Sequence, residues 1–322
     1  MPLSVPSVKR MEFQFTAHKE FHFAKALAGF LDIPATSDRI TLPAILGDGF
    51  IQEVYLDHCL SLCIHQYKLR QPFLLRRLET ETSEFLTLKF DGAQPSFPGD
   101  RGYAVEIGTS NLFTELSLSK DQTVNFLVIT ITSHHLLSLL HLDTTAHPLL
   151  TTLQNRQSFV LHENLNPEME RVLHQLCRID ETTALPHLLY QAKVRELIYH
   201  LFNKLLTRAV TPAIPVHPMD AQKIYEVRTK ILADLGTPPH LPDLARGIAM
   251  SETKMKQLFR QIFGDSIYNY YQTARMDAAA RLLKALSVSE TGYQLGFTNM
   301  SHFTRLFEKH HRVKPKKFKD TG

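Results

Sequence analysis

Three sets of side chains in this 322-residue sequence are candidates for chemistry. The first is its 17 histidines. A metal site needs imidazoles, thiolates or carboxylates spaced so that several converge on one point. His58 and His65, with Glu53 nearby, fall in a segment of strand character. Seven positions along one continuous strand put two side chains on opposite faces, so this pair is not expected to converge. His18 and His22 have the spacing of helical ligands, but no nearby Cys or third His completes a site. His134 and His135 are adjacent and diverge, and no His-x-His pair occurs. The expectation is ordinarily hydrogen-bonded histidines, no metal and no cofactor. The second set is Cys59, Cys63 and Cys177. An odd, sparse count is no disulfide framework and fits a reducing compartment. Read on one strand, Cys59 and Cys63 lie about 13 Å apart, out of bridging range. Gly-x-Ser-x-Gly, P-loop and Gly-x-Gly-x-x-Gly motifs are all missing from the sequence, so no catalytic residue is named and the chain is not read as an enzyme.

The third set is a run of polar residues near the end of the chain, and the elements that position them can be read in turn. In residues 241–264, Leu241, Leu244, Ala245 and Ile248 share one helical face, and a break follows at Ala249-Met250. Ser251 then caps a second helix whose inward stripe is Met255, Leu258, Phe259 and Ile262, and Gly264 ends it. Residues 287–311 repeat the design 49 residues later. Ser287 with Glu290 forms a capping box, Gly296 sits in the break, and Asn299 caps a helix with Phe303, Leu306 and Phe307 inward. Helix, tight turn and second helix is the helix-turn-helix plan. Between the units, residues 266–286 are Ala- and Leu-rich without Pro or Gly, which predicts a connector helix of some 30 Å. On a helical wheel Thr253, Lys256, Gln257 and Arg260 face away from the first stripe. Ser301, Thr304, Arg305 and Glu308 face away from the second, with His302 flanking.

Charge agrees with this placement. The chain has 36 Lys and Arg against 32 Asp and Glu, a net of +4. From Met219 to Gly322 there are 17 basic and 10 acidic residues, so this segment carries +7 and the first 218 residues −3. A basic C-terminal segment beside an acidic remainder predicts a polyanion-binding module on its own domain. At 43% hydrophobic and 21% charged residues the composition excludes a disordered chain, a collagen and a coiled-coil rod.

Upstream, Leu60, Leu62 and Ile64 alternate with Ser61, Cys63 and His65, a period of two. Further strand candidates are Phe73–Leu78, Phe85–Phe90, Tyr103–Ile107 and Val124–Ile131, punctuated by Gly, Pro and Asp. Together they predict a small antiparallel sandwich or barrel. After Ser133 the pattern turns helical. Asn166-Pro167 starts one helix and residues 188–206 form another. The wide apolar stripe of that second helix fits packing on the β domain and a dimer contact equally. Three prolines in residues 210–218 mark a spacer. The predicted layout is a domain of residues 1–209 (strands about 40–132, helices about 133–209), a linker of 210–218 and a second domain of 219–322. Neither a basic stretch followed by an apolar run at the N-terminus nor 18 consecutive apolar residues occurs, which predicts a cytoplasmic protein without a membrane span.

The C-terminal hundred residues resemble the DNA-binding domain of the AraC/XylS transcription regulators. The resemblance rests on Val288-Ser289-Glu290, Tyr293-Gln294-Leu295-Gly296-Phe297, Ser301-His302-Phe303-Thr304-Arg305-Leu306-Phe307, Pro315 and Phe318. In the first unit it rests on Leu244-Ala245, Ser251, Leu258-Phe259 and Gly264. Thr291-Gly292 stands where the family has Ile-Ala, and Arg312 where a Gly commonly ends the last helix. The resemblance implies an α+β multidomain protein, with an N-terminal cupin-like β-barrel plus helices as sensor and dimerisation domain and a C-terminal all-α domain with two helix-turn-helix units. It implies double-stranded DNA as partner, an unknown small-molecule effector, a homodimer, RNA polymerase as a further partner and an activator role. The base-reading positions map to Thr253, Lys256, Gln257, Ser301 and Arg305. The expected backbone contacts are Lys254, Arg260, His302, Thr304, Lys309, Lys314, Lys316 and Lys317. The alternatives in other classes are a metal-dependent cupin-type enzyme and a scaffold that binds protein instead of DNA.

Overall fold

Period-two alternation becomes a pair of sheets, and the 3.6-residue periods become helices, in a computed structural model. It describes residues 11–17, 21–34, 38–80, 84–91, 105–112, 114–143, 147–163, 165–180, 182–207 and 216–321. The order begins β1 (Met11–Phe15), α1 (Phe23–Phe30), β2 (Arg39–Thr41), β3 (Gly47–Asp57), β4 (Leu60–Leu69) and β5 (Phe73–Arg77). It continues with β6 (Phe85–Asp91), β7 (Val105–Thr109), β8 (Thr114–Leu118) and β9 (Thr123–Thr132). There follow α2 (Ser133–Leu140), α3 (Pro148–Gln154), β10 (Val160–Glu163), α4 (Pro167–Leu176) and α5 (Pro186–Leu206). The rest is helical: α6 (Pro218–Ala233), α7 (Leu241–Gly247), α8 (Glu252–Phe263), α9 (Ile267–Leu282), α10 (Val288–Gln294), α11 (Met300–His311) and α12 (Pro315–Thr321). Contacts divide the chain into two units. The first holds the described residues up to Pro218 except Leu161, His162 and Glu163 of β10, and the second holds those three with the described residues from Met219 onward.

In the first unit, six of the seven strands of the larger sheet run in the order β7-β6-β9-β4-β3-β2, and β1-β5-β8 form a smaller sheet. The closed barrel expected from the sequence is not formed by these strands. The chain leaves the β4 ladder at Gln71-Pro72, where proline has no N–H to continue it, and enters the other sheet as β5. Nor is the pairing wholly antiparallel, because β1 pairs β5 in parallel, Phe13 opposite Leu75. A cluster that includes Phe13, Leu27, Ile51, Tyr67, Phe73, Leu75 and Phe126 fills part of the space between the sheets. The other face of the larger sheet is apolar and fully buried at Leu62, Leu86, Leu88, Ile107, Ile129 and Ile131. The stripe of α5, at Tyr190, Val194, Leu197, Ile198, Leu201, Phe202 and Leu205, is buried within the chain. Packing therefore accounts for the breadth of that stripe. The linker expected at 210–218 lies outside the described residues except for 216–218.

The second unit forms from well-capped helices. Ser251, Ser266 and Asn299 accept from backbone N–H groups of α8, α9 and α11. Ser287 and Glu290 close a reciprocal capping box at α10, and those hydrogen bonds hold the Glu290 carboxyl below its usual range. The connector α9 is shorter than expected, 16 residues or about 24 Å, because the chain turns after Leu282. Arg312, at the position where a glycine commonly ends the helix, takes the left-handed conformation itself (φ 61°) and donates its N–H to the Glu308 carbonyl.

Candidate functional site

In the second unit the exposed arc of each recognition helix follows from its buried stripe. On α8, Met255, Leu258, Phe259 and Ile262 are buried, leaving Thr253, Lys254, Lys256, Gln257 and Arg260 exposed. On α11, Phe303 and Phe307 are buried while Leu306 is only half-buried. Ser301, His302, Arg305, Glu308 and Lys309 are exposed and Thr304 is half-buried. Lys314, Lys316 and Lys317 are exposed beyond it. Lys254 reaches Asp220 at 2.8 Å and Lys256 reaches Glu252 at 2.8 Å. Both lysine heads are exposed, and such pairs are worth little each.

Behind these arcs, buried polar contacts fix the helices. Arg275 of α9 is 5% exposed, donates from Nε to the Leu295 carbonyl at 2.8 Å and stacks over Phe297 at 3.6 Å. Burial lowers its pKa from the ordinary arginine value. The Tyr271 hydroxyl donates to the Leu235 carbonyl at 3.0 Å. At the departures from the family pattern, a Cβ on Gly292 would meet the Met300 sulfur at 2.6 Å, so Met300 occupies the space an alanine would need. Thr291 is fully buried with an unpartnered hydroxyl. At the end of α11, His310 pairs with Asp277 at 2.9 Å and His311 lies 4.0 Å from the same carboxylate. Among the described residues these three are the one group whose ligand atoms lie close enough for a metal. His310 and His311 were not singled out in the sequence, because their carboxylate partner comes from α9.

In the first unit a cavity of about 440 Å³ opens between the two sheets. It is lined by the second face of the alternating strands. Glu53 and Tyr55 of β3, Ser61, Cys63 and His65 of β4, and Phe126, Val128 and Thr130 of β9 contribute from the larger sheet. Phe15, Leu75 and Arg77 contribute from the smaller one, and Phe21, His22 and Phe23 from the start of α1. His58 and His65 both line it. The expectation that they diverge fails because His58 lies in the turn between β3 and β4, so no continuous strand joins them. Cys59 lies in the same turn. His18 is outside the described residues.

His65 is 3% exposed and stacked on Phe126 with ring centroids 4.1 Å apart. Burial, and next the Lys89 charge, push its pKa down to about 3, so the ring is neutral near pH 7. Its Nδ1 has no hydrogen-bond partner. Burial and then Glu53 raise the Tyr55 hydroxyl far above the usual tyrosine value. At the rim, the His187 ring bonds the Tyr55 carbonyl at 2.8 Å and Gln191 donates to the Leu56 carbonyl at 2.8 Å, tying the start of α5 to the hairpin beside the cavity.

Comparison with known proteins covers both units. A helix-turn-helix domain family matches residues 244–321, and the family of the regulatory protein PchR N-terminal domain matches residues 46–216. The chain is 29% identical over 124 residues to the uncharacterised HTH-type transcriptional regulator YfiF of Bacillus subtilis, covering 35% of this chain and 39% of that one. It is 33% identical over 64 residues to the regulatory protein PchR of Pseudomonas aeruginosa, covering 20% of this chain and 22% of that one. It thus spans well under two thirds of either relative. ToxT from Vibrio cholerae is similar at 15% identity and a TM-score of 0.32, over 81% of this chain and 98% of that chain.

Proposed function

Because the chain belongs to the AraC/XylS family of transcriptional regulators, with an N-terminal domain of the PchR type, we propose that it is a sequence-specific, effector-responsive activator. The single observation that carries the DNA reading is the pair of exposed polar arcs on α8 and α11, each opposite a buried stripe. Thr253, Lys256 and Gln257 on one helix and Ser301 and Arg305 on the other meet base edges. Lys254, Arg260, His302, Thr304, Lys309, Lys314, Lys316 and Lys317 meet the phosphates that set register. Residues 219–322 are the DNA-binding part. Residues 1–209 are a cupin-like sensor and dimerisation part, joined to it through 210–218. The cavity between the sheets supports the sensor role, since small-molecule sites are concave and lined by rings with a few polar groups. The protein acts as a homodimer that engages RNA polymerase when its effector is bound.

Selection from a random duplex pool tests this reading. A common motif with two elements on one face of the helix is expected, with an affinity that falls steeply as salt rises. Recovery of a pool without sequence preference, or capture of protein and no DNA, overturns it.

A further inference from the structure

The charged groups of the cavity are not arranged evenly. Across the larger sheet, register places Glu53, Cys63, Val128 and Lys89 side by side on β3, β4, β9 and β6. Three strand spacings separate Glu53 from Lys89, about 14 Å. The basic groups of the lining are hydrogen-bonded within the protein. Lys89 bonds Asp91 at 2.8 Å, and Arg77 donates to the Leu112 carbonyl and the Thr87 and Thr114 hydroxyls. Two of the other acids on the lining are also paired, Asp57 with His135 and Arg195, and Glu115 with Arg76.

Glu53 is different. It is 6% exposed, accepts from the Ala24 N–H at 3.2 Å and from the Tyr55 hydroxyl, and has no cation in contact among the described residues. A carboxylate taken out of water without a counter-charge is costly. Rings line the same cavity. Phe15 stacks on Phe21 and meets Phe23 edge-on, with centroids 5.2 Å apart in both cases. Phe23 lies 5.2 Å from His65, and Tyr55 lies 4.8 Å from His22. Ring faces attract cations, most strongly where water is excluded. The neutral His65, with a free Nδ1, adds a polar group that needs no charge on the ligand to meet it.

We propose that the cavity binds an organic cation, an aryl or alkyl ammonium whose charged head sits against Glu53 among Phe15, Phe21, Phe23 and Tyr55 while its apolar body runs along Phe126 and Val128. The proposal rests on the sensor reading of the first unit only for its consequence, since binding itself is measured without DNA.

Calorimetry on the full chain with 2-phenylethylamine and tryptamine tests it, each set against the carboxylate of matching skeleton, 3-phenylpropionate and indole-3-propionate. The amines are expected to bind at least about tenfold more tightly than the acids. Glu53→Gln is expected to remove that preference, and Phe21→Leu to weaken the amines about tenfold with little change for 2-phenylethanol. If Glu53→Gln does not fold, Phe21→Leu with the alcohol control carries the comparison. Acids that bind as well as amines, no binding by either amine, or undiminished amine affinity in the folded variants overturns it. An amine that binds without altering DNA affinity leaves the ligand class standing and sinks the sensor role. A different metabolite that alters DNA affinity while no amine binds does the reverse.

Discussion

Arg305 stands exposed on α11 without an ion pair among the described residues, so its planar fork is available to guanine O6 and N7, which it matches with two parallel hydrogen bonds. Arg305→Ala should therefore cost about 1–3 kcal/mol of site-specific binding and relax one base position. Lys316→Ala should weaken specific and random duplexes alike and reduce the salt slope by about one. Competition titrations at several salt concentrations distinguish the two, and a sequence-selective loss for Lys316→Ala would contradict its assignment to phosphate. His65 makes a different prediction. Its folded pKa, about 3, lies below the unfolded value of about 6.5. The unfolded chain then binds the extra proton first. The stability from the neutral ring is fully present above about pH 6.5 and falls with acidification by about 1.4 kcal/mol per pH unit until pH nears about 3. Denaturant melts at successive pH values below neutrality should show this slope, and His65→Phe should flatten it by one proton. The exposed arcs of α8 and α11 were legible in the sequence because a helix separates its faces by a simple angle. Glu53 and His65 were not. Strand parity shows that two faces differ, but it does not show that the polar face is also enclosed.

At the scale of elements, most helices and the central strands were legible, since their caps and periods are local. The connector was overestimated because nothing in Leu283–Leu286 breaks a helix by type. The parallel β1 was missed because its partner lies some sixty residues away in sequence. Packing decides the energetics here. Arg275→Ala would leave the buried Leu295 carbonyl without its donor and remove the stacked cation from Phe297. A loss of about 2–4 kcal/mol is expected. Thermal unfolding should show it, and a change below about 0.5 kcal/mol would mean water replaces the guanidinium. Arg312 has the opposite sign. A residue with a Cβ in the left-handed region costs about 1–2 kcal/mol, partly offset by the flexibility glycine brings to the unfolded chain. Arg312→Gly should raise stability by about 0.5–1 kcal/mol in the same unfolding experiment.

For the whole chain, the net charge of +4 describes neither unit. Residues 219–322 are basic and residues 1–218 are acidic. In the sequence, charge and proline led to an expected boundary at residues 210–218, and spaced motifs carried the resemblance of the C-terminal part. The sequence left sandwich and barrel open and did not show which strands form each sheet, since which sheet a strand joins depends on long-range pairing that local patterns do not encode.

One contact in the second unit bears on how DNA is read. Gly296, in the turn before α11, has φ 72°, and a Cβ there would come within 3.0 Å of backbone atoms of Gly236, in the corner before α7. Asp234 pins that corner by accepting from the Gly236 and Thr237 N–H groups. Two backbones touching at glycines leave no side chain between them to act as a bearing. The reading heads are expected to behave as the jaws of a fixed caliper that accepts a single gap along DNA. Inserting about 5 bp, half a helical repeat, between the two elements of a selected site should abolish binding to one protomer, while inserting a full repeat should not restore it.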